Sequence, residues 1–254
     1  MPQMEANPAT RSASAMHGRM TAASNPQDNC VLASLEPGEF FRISEQLQLV
    51  RLSVGQVLIQ QSAKVRFIHF PTTAVLSMQH ILEDGFLSEI AGIGREGLCG
   101  ACALLDGSTI SSQVVVQSGG EAFRVPVCRL ATEFERGGAF SSAVLRYVQM
   151  LFLQVTQTTT CNSRHPIEKR LCKWLLLALD RNDTDELIVT QERLGQILGV
   201  RREGVTEAAG RLQSLGAISY GRGRLTIVDR SKIASLACEC YAVLRGLHDN
   251  LLLL

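Results

Sequence analysis

The stretch Thr190–Ile227, TQERLGQILGVRREGVTEAAGRLQSLGAISYGRGRLTI, constrains this chain more than any other. Thr190 offers the hydroxyl of an N-cap, and Leu194, Ile197 and Leu198 form one apolar stripe at helical spacing. Gly199 follows the last apolar residue, where a left-handed residue ends a helix, and Val200 pins the turn. A second helix is predicted from about Arg202 to Ser214, with Val205, Ala208, Ala209 and Leu212 facing inward. The runs Ala217–Tyr220 and Leu225–Val228 then flank Gly221-Arg222-Gly223-Arg224, a hairpin signal with a basic tip. Two helices, a tight turn and a small hairpin are the layout of a winged helix-turn-helix, whose second helix enters the DNA major groove.

The outward residues suit that task. Arg donates two hydrogen bonds to guanine, and Glu accepts one from the cytosine amino group. Arg202 and Glu203 open the second helix, the end that meets base edges, and Glu207 follows one turn later. An Arg-Arg-Glu run is, taken alone, more often a solvated helix face. Its place in this layout favours the reading role.

These residues resemble the Crp–Fnr family of bacterial transcription regulators. The resemblance rests on Thr190, Leu194, Gly195, Leu198-Gly199, Arg202-Glu203, Val205, Leu212, Gly216 and the Arg-Gly hairpin. It implies an α+β homodimer with an N-terminal antiparallel β-barrel (a jelly roll of the cyclic-nucleotide-binding type), a long dimerisation helix and the winged helix. It implies base reading by Arg202, Glu203 and Glu207. Phosphate contacts are expected from Thr190 and Arg201, and from Arg222 and Arg224 on the hairpin. Many relatives carry a basic or polar residue where Glu207 stands, so the family's best-known half-site is not expected here.

The 254 residues suffice for two modest domains, and 46% hydrophobic residues supply a core for each. The net charge of +1 is uninformative, but its distribution is not. Residues 1–163 sum to −2 and residues 164–254 to +3, with seven Arg against three acids between Arg193 and Arg230. Phosphate neutralisation needs positive charge there. No apolar run reaches the roughly 18 residues that span a bilayer, and the first 28 lack the continuous apolar stretch of a secretory signal. A cytoplasmic location is therefore expected, without membrane partners. The expected partners are double-stranded DNA, a second copy of the chain, RNA polymerase and an unidentified small-molecule effector.

Eight cysteines in such a chain are expected to be reduced. Cys99 and Cys102 have the spacing of metal and redox sites, but they lie in the small-residue turn Gly97–Cys102, which favours packing. Cys238 and Cys240 are read on one helix, pointing to different faces. Some Crp–Fnr relatives hold an iron–sulfur cluster through clustered N-terminal cysteines. Only Cys30 lies in that region here. No metal and no cofactor are therefore expected.

Four segments are expected: a disordered tail at 1–28, a sensor barrel at 29–130, a dimerisation region at 131–163 and the DNA-binding domain at 164–254. Within the sensor, short helices are predicted over Asn29–Leu35 and Pro37–Leu49. Strands are predicted over Gln56–Gln60, Phe67–Phe70, Ala74–Ile81, Phe86–Ile90, Gln113–Gln117 and Glu121–Pro126. Gly94-Arg95-Glu96-Gly97 stands where nucleotide-binding relatives carry their phosphate cassette, yet it reads equally as a solvated turn. The ribose-binding Glu and phosphate-binding Arg of those relatives align with Gly100-Ala101-Cys102 and Ser111-Ser112-Gln113. Neither charge is present, and a buried phosphate without a cation is costly. Cyclic AMP is thus not the expected effector.

A long helix is predicted from Phe140 to Ser163, with Val144, Val148, Leu151 and Val155 as a dimer seam at four-three-four spacing. Met150, Phe152 and Leu153 are assigned to the sensor side. Pro166 opens the next helix, His165 reads as structural, and Asp229 caps a last helix running from Lys232 to about His248. No nucleophile elbow, metal triad or phosphate loop supports an enzyme. The competing reading is a thiol-redox or small-molecule sensor with a vestigial DNA domain.

Overall fold

The computed structural model describes residues 24–105, 109–182 and 184–252. The N-terminal half holds two antiparallel sheets face to face. Its elements are α1 (Cys30–Ala33), α2 (Pro37–Ser44), β1 (Gln48–Leu52), β2 (Val57–Ile59), β3 (Phe67–Pro71), β4 (Val75–Ile81), β5 (Leu87–Ile93), α3 (Cys102–Leu105), β6 (Gln113–Ser118), β7 (Gly120–Pro126) and α4 (Val127–Glu135). One sheet runs β1-β7-β3 and the other β2-β6-β4-β5. Inward residues of both, such as Ile68, Phe70, Leu76, Val114, Val116 and Val125, share one core. The chain changes sheets between β6 and β7 at Gly119-Gly120. A Cβ on Gly120 would lie 2.6 Å from the Ala74 nitrogen, so the corner closes only with glycine.

The helix α5 (Ala139–Arg164) follows Gly137 and Gly138, both at positive φ. Phe140, Val144, Tyr147 and Met150 on it seal the N-terminal core. The C-terminal half then runs α6 (Ile167–Arg181), β8 (Glu186–Ile188), α7 (Gln191–Leu198), α8 (Arg202–Ser214), β9 (Ile218–Gly221), β10 (Arg224–Ile227), α9 (Arg230–Leu236) and α10 (Cys240–Leu252). Leu171, Leu175, Leu194, Val205, Leu212, Leu225 and Ile233 belong to its separate core.

Several expectations change. Residues 1–23 of the expected tail lie outside the described residues. Residues 24–28 are ordered: Asn25 caps a 3-10 turn at Pro26–Asp28, and the Ser24 hydroxyl donates to Glu121 at 2.8 Å. Gln48–Leu52 is a strand, not the end of a helix, because it pairs with β7 from Gln48–Arg124 to Leu52–Gly120. The wing has a third strand, β8, which was not anticipated. The last helix is two helices, broken at Ala237–Glu239.

One member of the seam expected on α5, Val144, is corrected. Val144 is fully buried in the chain's own core and is closed to a seam, while half-buried Val148 and Leu151 pack on that core with part of their surface still exposed. Val155 is half-buried. Leu145, Phe152 and Leu153 are exposed instead, Phe152 at 70%. The stripe of α5 that the core takes is Phe140, Ala143, Val144, Tyr147 and Met150.

Candidate nucleic-acid interface

The turn between α7 and α8 is built from a few residues. The Thr190 Oγ1 accepts from the Arg193 N–H at 3.1 Å, which leaves its own hydroxyl proton free to donate outward. Gly199 ends α7 at φ +62, and the Val200 N–H donates to the Gly195 carbonyl at 2.9 Å. A Cβ on Gly195 would lie 2.9 Å from the Val200 oxygen, so this turn needs glycine twice. Behind it, the buried Arg170 of α6 donates to the Leu198 carbonyl, which no longer has a partner within its helix.

Arg201, Arg202, Glu203, Thr206 and Glu207 are all exposed on one end of α8. Among the described residues Arg202 and Glu203 form no ion pair, so both are free to meet another molecule. The Thr206 hydroxyl lies 2.9 Å from Gln191 Oε1 and 3.1 Å from the Arg202 carbonyl, tying the two helices at this face. Glu207 borders a groove beside Ile167, Lys169 and Gly204, one turn back from the tip. The wing turn is Arg222-Gly223, with φ +52 and +76 between the paired Gly221 and Arg224. Two successive positive φ values are the signature of a tight hairpin turn that follows the strand twist. Exposed Arg222 is thereby held at the tip. Arg224 is exposed too, but its guanidinium is paired with Glu186 across the wing sheet. It is not the unpaired cation the sequence suggests.

Residues 169–236 match the model of the Crp-like helix-turn-helix domain. No curated protein matches the chain. Among solved structures, a protein assigned to the Crp/Fnr family from Eubacterium rectale superposes with a TM-score of 0.67 at 16% identity, covering 81% of this chain and 96% of that one. FixK2 from Bradyrhizobium japonicum gives 0.65 at 13% identity, covering 76% and 98%. The CRP-family regulator TTHB099 of Thermus thermophilus gives 0.64 at 16%, covering 74% and 96%. The chain carries a Crp-like helix-turn-helix domain on a Crp/Fnr-type fold. The Eubacterium rectale protein is assigned as a transcriptional regulator, and TTHB099 is described as one.

This Crp-like domain is docked on the N-terminal half through polar groups that the sequence did not disclose. Arg181, at the end of α6, pairs with Glu96 at 2.8 Å, both side chains under a tenth exposed. Its Nη2 also donates to the Gly92 carbonyl at 3.2 Å and lies 3.3 Å from His248 Nε2. The Trp174 indole N–H donates to Glu89 of β5 at 3.2 Å, and the Ser77 hydroxyl donates to the other Glu89 oxygen. The Ser118 hydroxyl donates to Asn182 Oδ1 at 2.9 Å. Glu96 is therefore no solvated turn residue: the turn points it into the domain interface. Arg95 beside it is exposed. A Cβ on Gly92 would lie 2.8 Å from the Arg181 guanidinium, so glycine admits the arginine.

The two carboxylates respond oppositely to this setting. Burial pushes Glu89 above the ordinary carboxylate range, against its hydrogen bonds and the pull of Arg181. Burial pushes Glu96 the same way, but Arg181 and His248 outweigh it and hold Glu96 below that range. Burial, then the Arg181 cation, lowers His248.

Cys99 is fully buried, and burial pushes its thiol up to about 12. Such a thiol is a poor nucleophile, as the packing reading of the Gly97–Cys102 turn requires. Another cluster was not foreseen. Cys161, His165, Cys238 and Cys240 bring one donor atom each within 4.8 Å of one another. Cys238 and Cys240 do not point to different faces of one helix, because Cys238 lies in the break before α10.

Proposed function

We propose that this chain is a homodimeric, sequence-specific DNA-binding regulator of transcription. Arg202 and Glu203 would read base edges, with Glu207 at the edge of the same face. Thr190, Arg201 and Arg222 would contact phosphates, with Arg224 recruited once it leaves Glu186. The observation that carries the reading is the unpaired, exposed Arg202-Glu203 at the start of a helix held rigidly by the Gly195–Gly199 turn. Cytoplasmic DNA and RNA polymerase are the matching partners; no helix among the described residues is long and apolar enough to cross a membrane.

The segments 29–130, 131–163 and 164–254 serve as sensor, dimerisation region and reader in this proposal. Dimerisation uses Leu145, Phe152 and Leu153, the apolar side chains that α5 leaves in solvent. The effector is not cyclic AMP. Ala101 and Ser112 stand buried at the aligned positions and bring no charge for a phosphate. A cleft of about 850 Å³ between the two halves suits an effector better. Val57, Val115, Gln117, Trp174, Arg193 and Ile197 line it, and domain interfaces commonly host ligands.

Selection from randomised duplex DNA tests the reading. A two-fold symmetric motif is expected, with half-sites about one helical turn apart. Arg202→Ala should cost about 1–3 kcal/mol and relax one base position per half-site. Operator binding by that variant as tight as the parent's would refute the assignment.

A further inference from the structure

We propose that Cys161, His165, Cys238 and Cys240 form a tetrahedral Cys3His site for one divalent, thiophilic metal ion of the zinc class. Cys161 and His165 are one turn apart at the end of α5 and share a face. Cys238 and Cys240 come from the break and first residue of α10. Cys161 Sγ lies 3.6 Å from Cys238 Sγ, and Cys240 Sγ lies 3.6 Å from His165 Nδ1. With zinc–sulfur bonds of about 2.3 Å, a tetrahedral site has edges of about 3.8 Å. Two of the six donor pairs lie close to that spacing, and all four donors lie within 4.8 Å of one another, so small side-chain shifts close the site. An iron–sulfur cluster places several metals between its outer ligands and needs them further apart.

The surroundings also point to a metal. His165 Nε2 lies 3.3 Å from Glu239 Oε1. A carboxylate there holds the proton on Nε2 and turns the Nδ1 lone pair toward the sulfurs, the usual outer support of a metal-bound histidine. Gln157 donates an N–H to Cys240 Sγ at 3.0 Å. The three sulfurs are buried as a cluster apart from both hydrophobic cores. Arg170 and Lys173 of the adjoining α6 are buried, and neither forms an ion pair among the described residues. Both lie within electrostatic reach of Cys161. A divalent ion with three thiolates and a neutral histidine carries net charge −1, which those cations offset. Apolar packing of thiols explains neither the histidine nor the two cations. A disulfide would need sulfurs about 2.05 Å apart and would leave the other two donors unused.

On binding, three thiol protons leave to solvent and four metal–ligand bonds form, with no change of oxidation state. The bound ion would clip the α9–α10 break to the end of α5, beside the Pro166 hinge into the reader. It would thus fix the direction in which the DNA-binding half leaves the long helix.

Anaerobic titration of the reduced, metal-free full chain with Co²⁺ tests the site. One equivalent per chain is expected, with the intense visible bands of tetrahedral thiolate coordination, displaced by one equivalent of Zn²⁺. Cys161→Ser, Cys238→Ser and Cys240→Ser should each lose or shift those bands, while Cys128→Ser, at an exposed cysteine elsewhere, should not. Glu239→Gln should weaken Zn²⁺ affinity about 10-fold or more. If the serine variants fail to fold by circular dichroism, His165→Cys decides. That variant should keep one equivalent of Co²⁺ and move the bands toward those of a four-thiolate site. A folded parent chain without tetrahedral Co²⁺ bands would overturn the proposal, as would bands that the folded cysteine variants leave unchanged.

Discussion

Arg181→Met should undock the helix-turn-helix half from the N-terminal half. Arg181 and Glu96 are 2.8 Å apart with about 8% and 7% of their side chains exposed. Without the guanidinium, the Glu96 carboxylate stays buried with only backbone N–H donors close by, that of Gly94 at 3.2 Å and its own, among the described residues. Breaking one side of a buried pair costs about 3–5 kcal/mol, because the surviving charge is uncompensated. The Gly92 carbonyl suffers less, since it still accepts from Gln154 at 3.2 Å. The double variant Glu96→Gln/Arg181→Met removes both charges and should recover about 2 kcal/mol or more of the single-variant loss. Trp174 is the only tryptophan and donates to Glu89 across the same interface, so its fluorescence reports docking. Circular dichroism reports the whole chain, and in a two-domain protein the transitions need not coincide. With a urea slope near 2 kcal/mol/M, the Trp174 midpoint should fall by about 1.5–2.5 M in Arg181→Met. A loss below about 1 kcal/mol, the usual worth of an exposed ion pair, would refute the claim that this pair holds the halves together.

The same interface should have a pH window. Glu96, with its lowered pKa, contributes stability above the ordinary carboxylate pKa, lost as pH falls through the lowered one; Glu89, with its raised pKa, contributes stability at low pH, lost as pH rises through the raised one. The Trp174 urea midpoint should therefore peak between the two, and Glu89→Gln should remove the decline on the alkaline side; a flat profile would contradict both assignments. Phe152→Glu should dissociate the proposed dimer: losing burial on both sides of a two-fold contact would cost about 3 kcal/mol, roughly 100-fold in Kd, read by sedimentation equilibrium. Unchanged sedimentation would place the dimer elsewhere. Arg222→Ala should weaken all DNA sequences alike and lower the slope of log affinity against log salt by about 1 per site contacted, measured by binding isotherms.

The reader was legible because its signals are local. Thr190 caps, Gly199 terminates and Leu194, Ile197 and Leu198 repeat at helical spacing, so neighbouring residues carry the whole instruction. Long-range features were not legible in the same way. Leu49 and Val50 fit either a helix or a strand, and only pairing with β7 decides for β1. Val144 of the expected α5 seam went to the core for a related reason: Val144 and Leu145 are adjacent, and which one faces inward depends on the sheets, not on α5. Glu89 and Glu96 carried a weaker signal. A carboxylate within the apolar run LSEIAGI marks a place where a buried charge needs a partner, but not that Trp174 is the partner. Cys161 and Cys238 meet because α10 packs on α5 and Cys238 lies in the break just before α10, which their separation in sequence conceals.

The polar character of the docked interface bears on how the chain would switch. An apolar contact slides and loses area gradually, whereas a hydrogen-bonded ion pair depends steeply on distance and angle. Arg181 and Asn182 lie at the C-terminal end of α6, and Pro166 lies at the hinge beyond its N-terminus. A modest swing about that hinge is therefore largest where the pairs are, and it breaks Arg181–Glu96 and Ser118–Asn182 together. The Leu198 carbonyl moves with them, because Arg170 of the same helix holds it. Docked and undocked arrangements should thus be two discrete states, not a continuum, and an effector shifts them only by its difference in affinity for each. A ligand in the cleft beside Trp174 and Arg193 touches both halves, so it gains that difference directly.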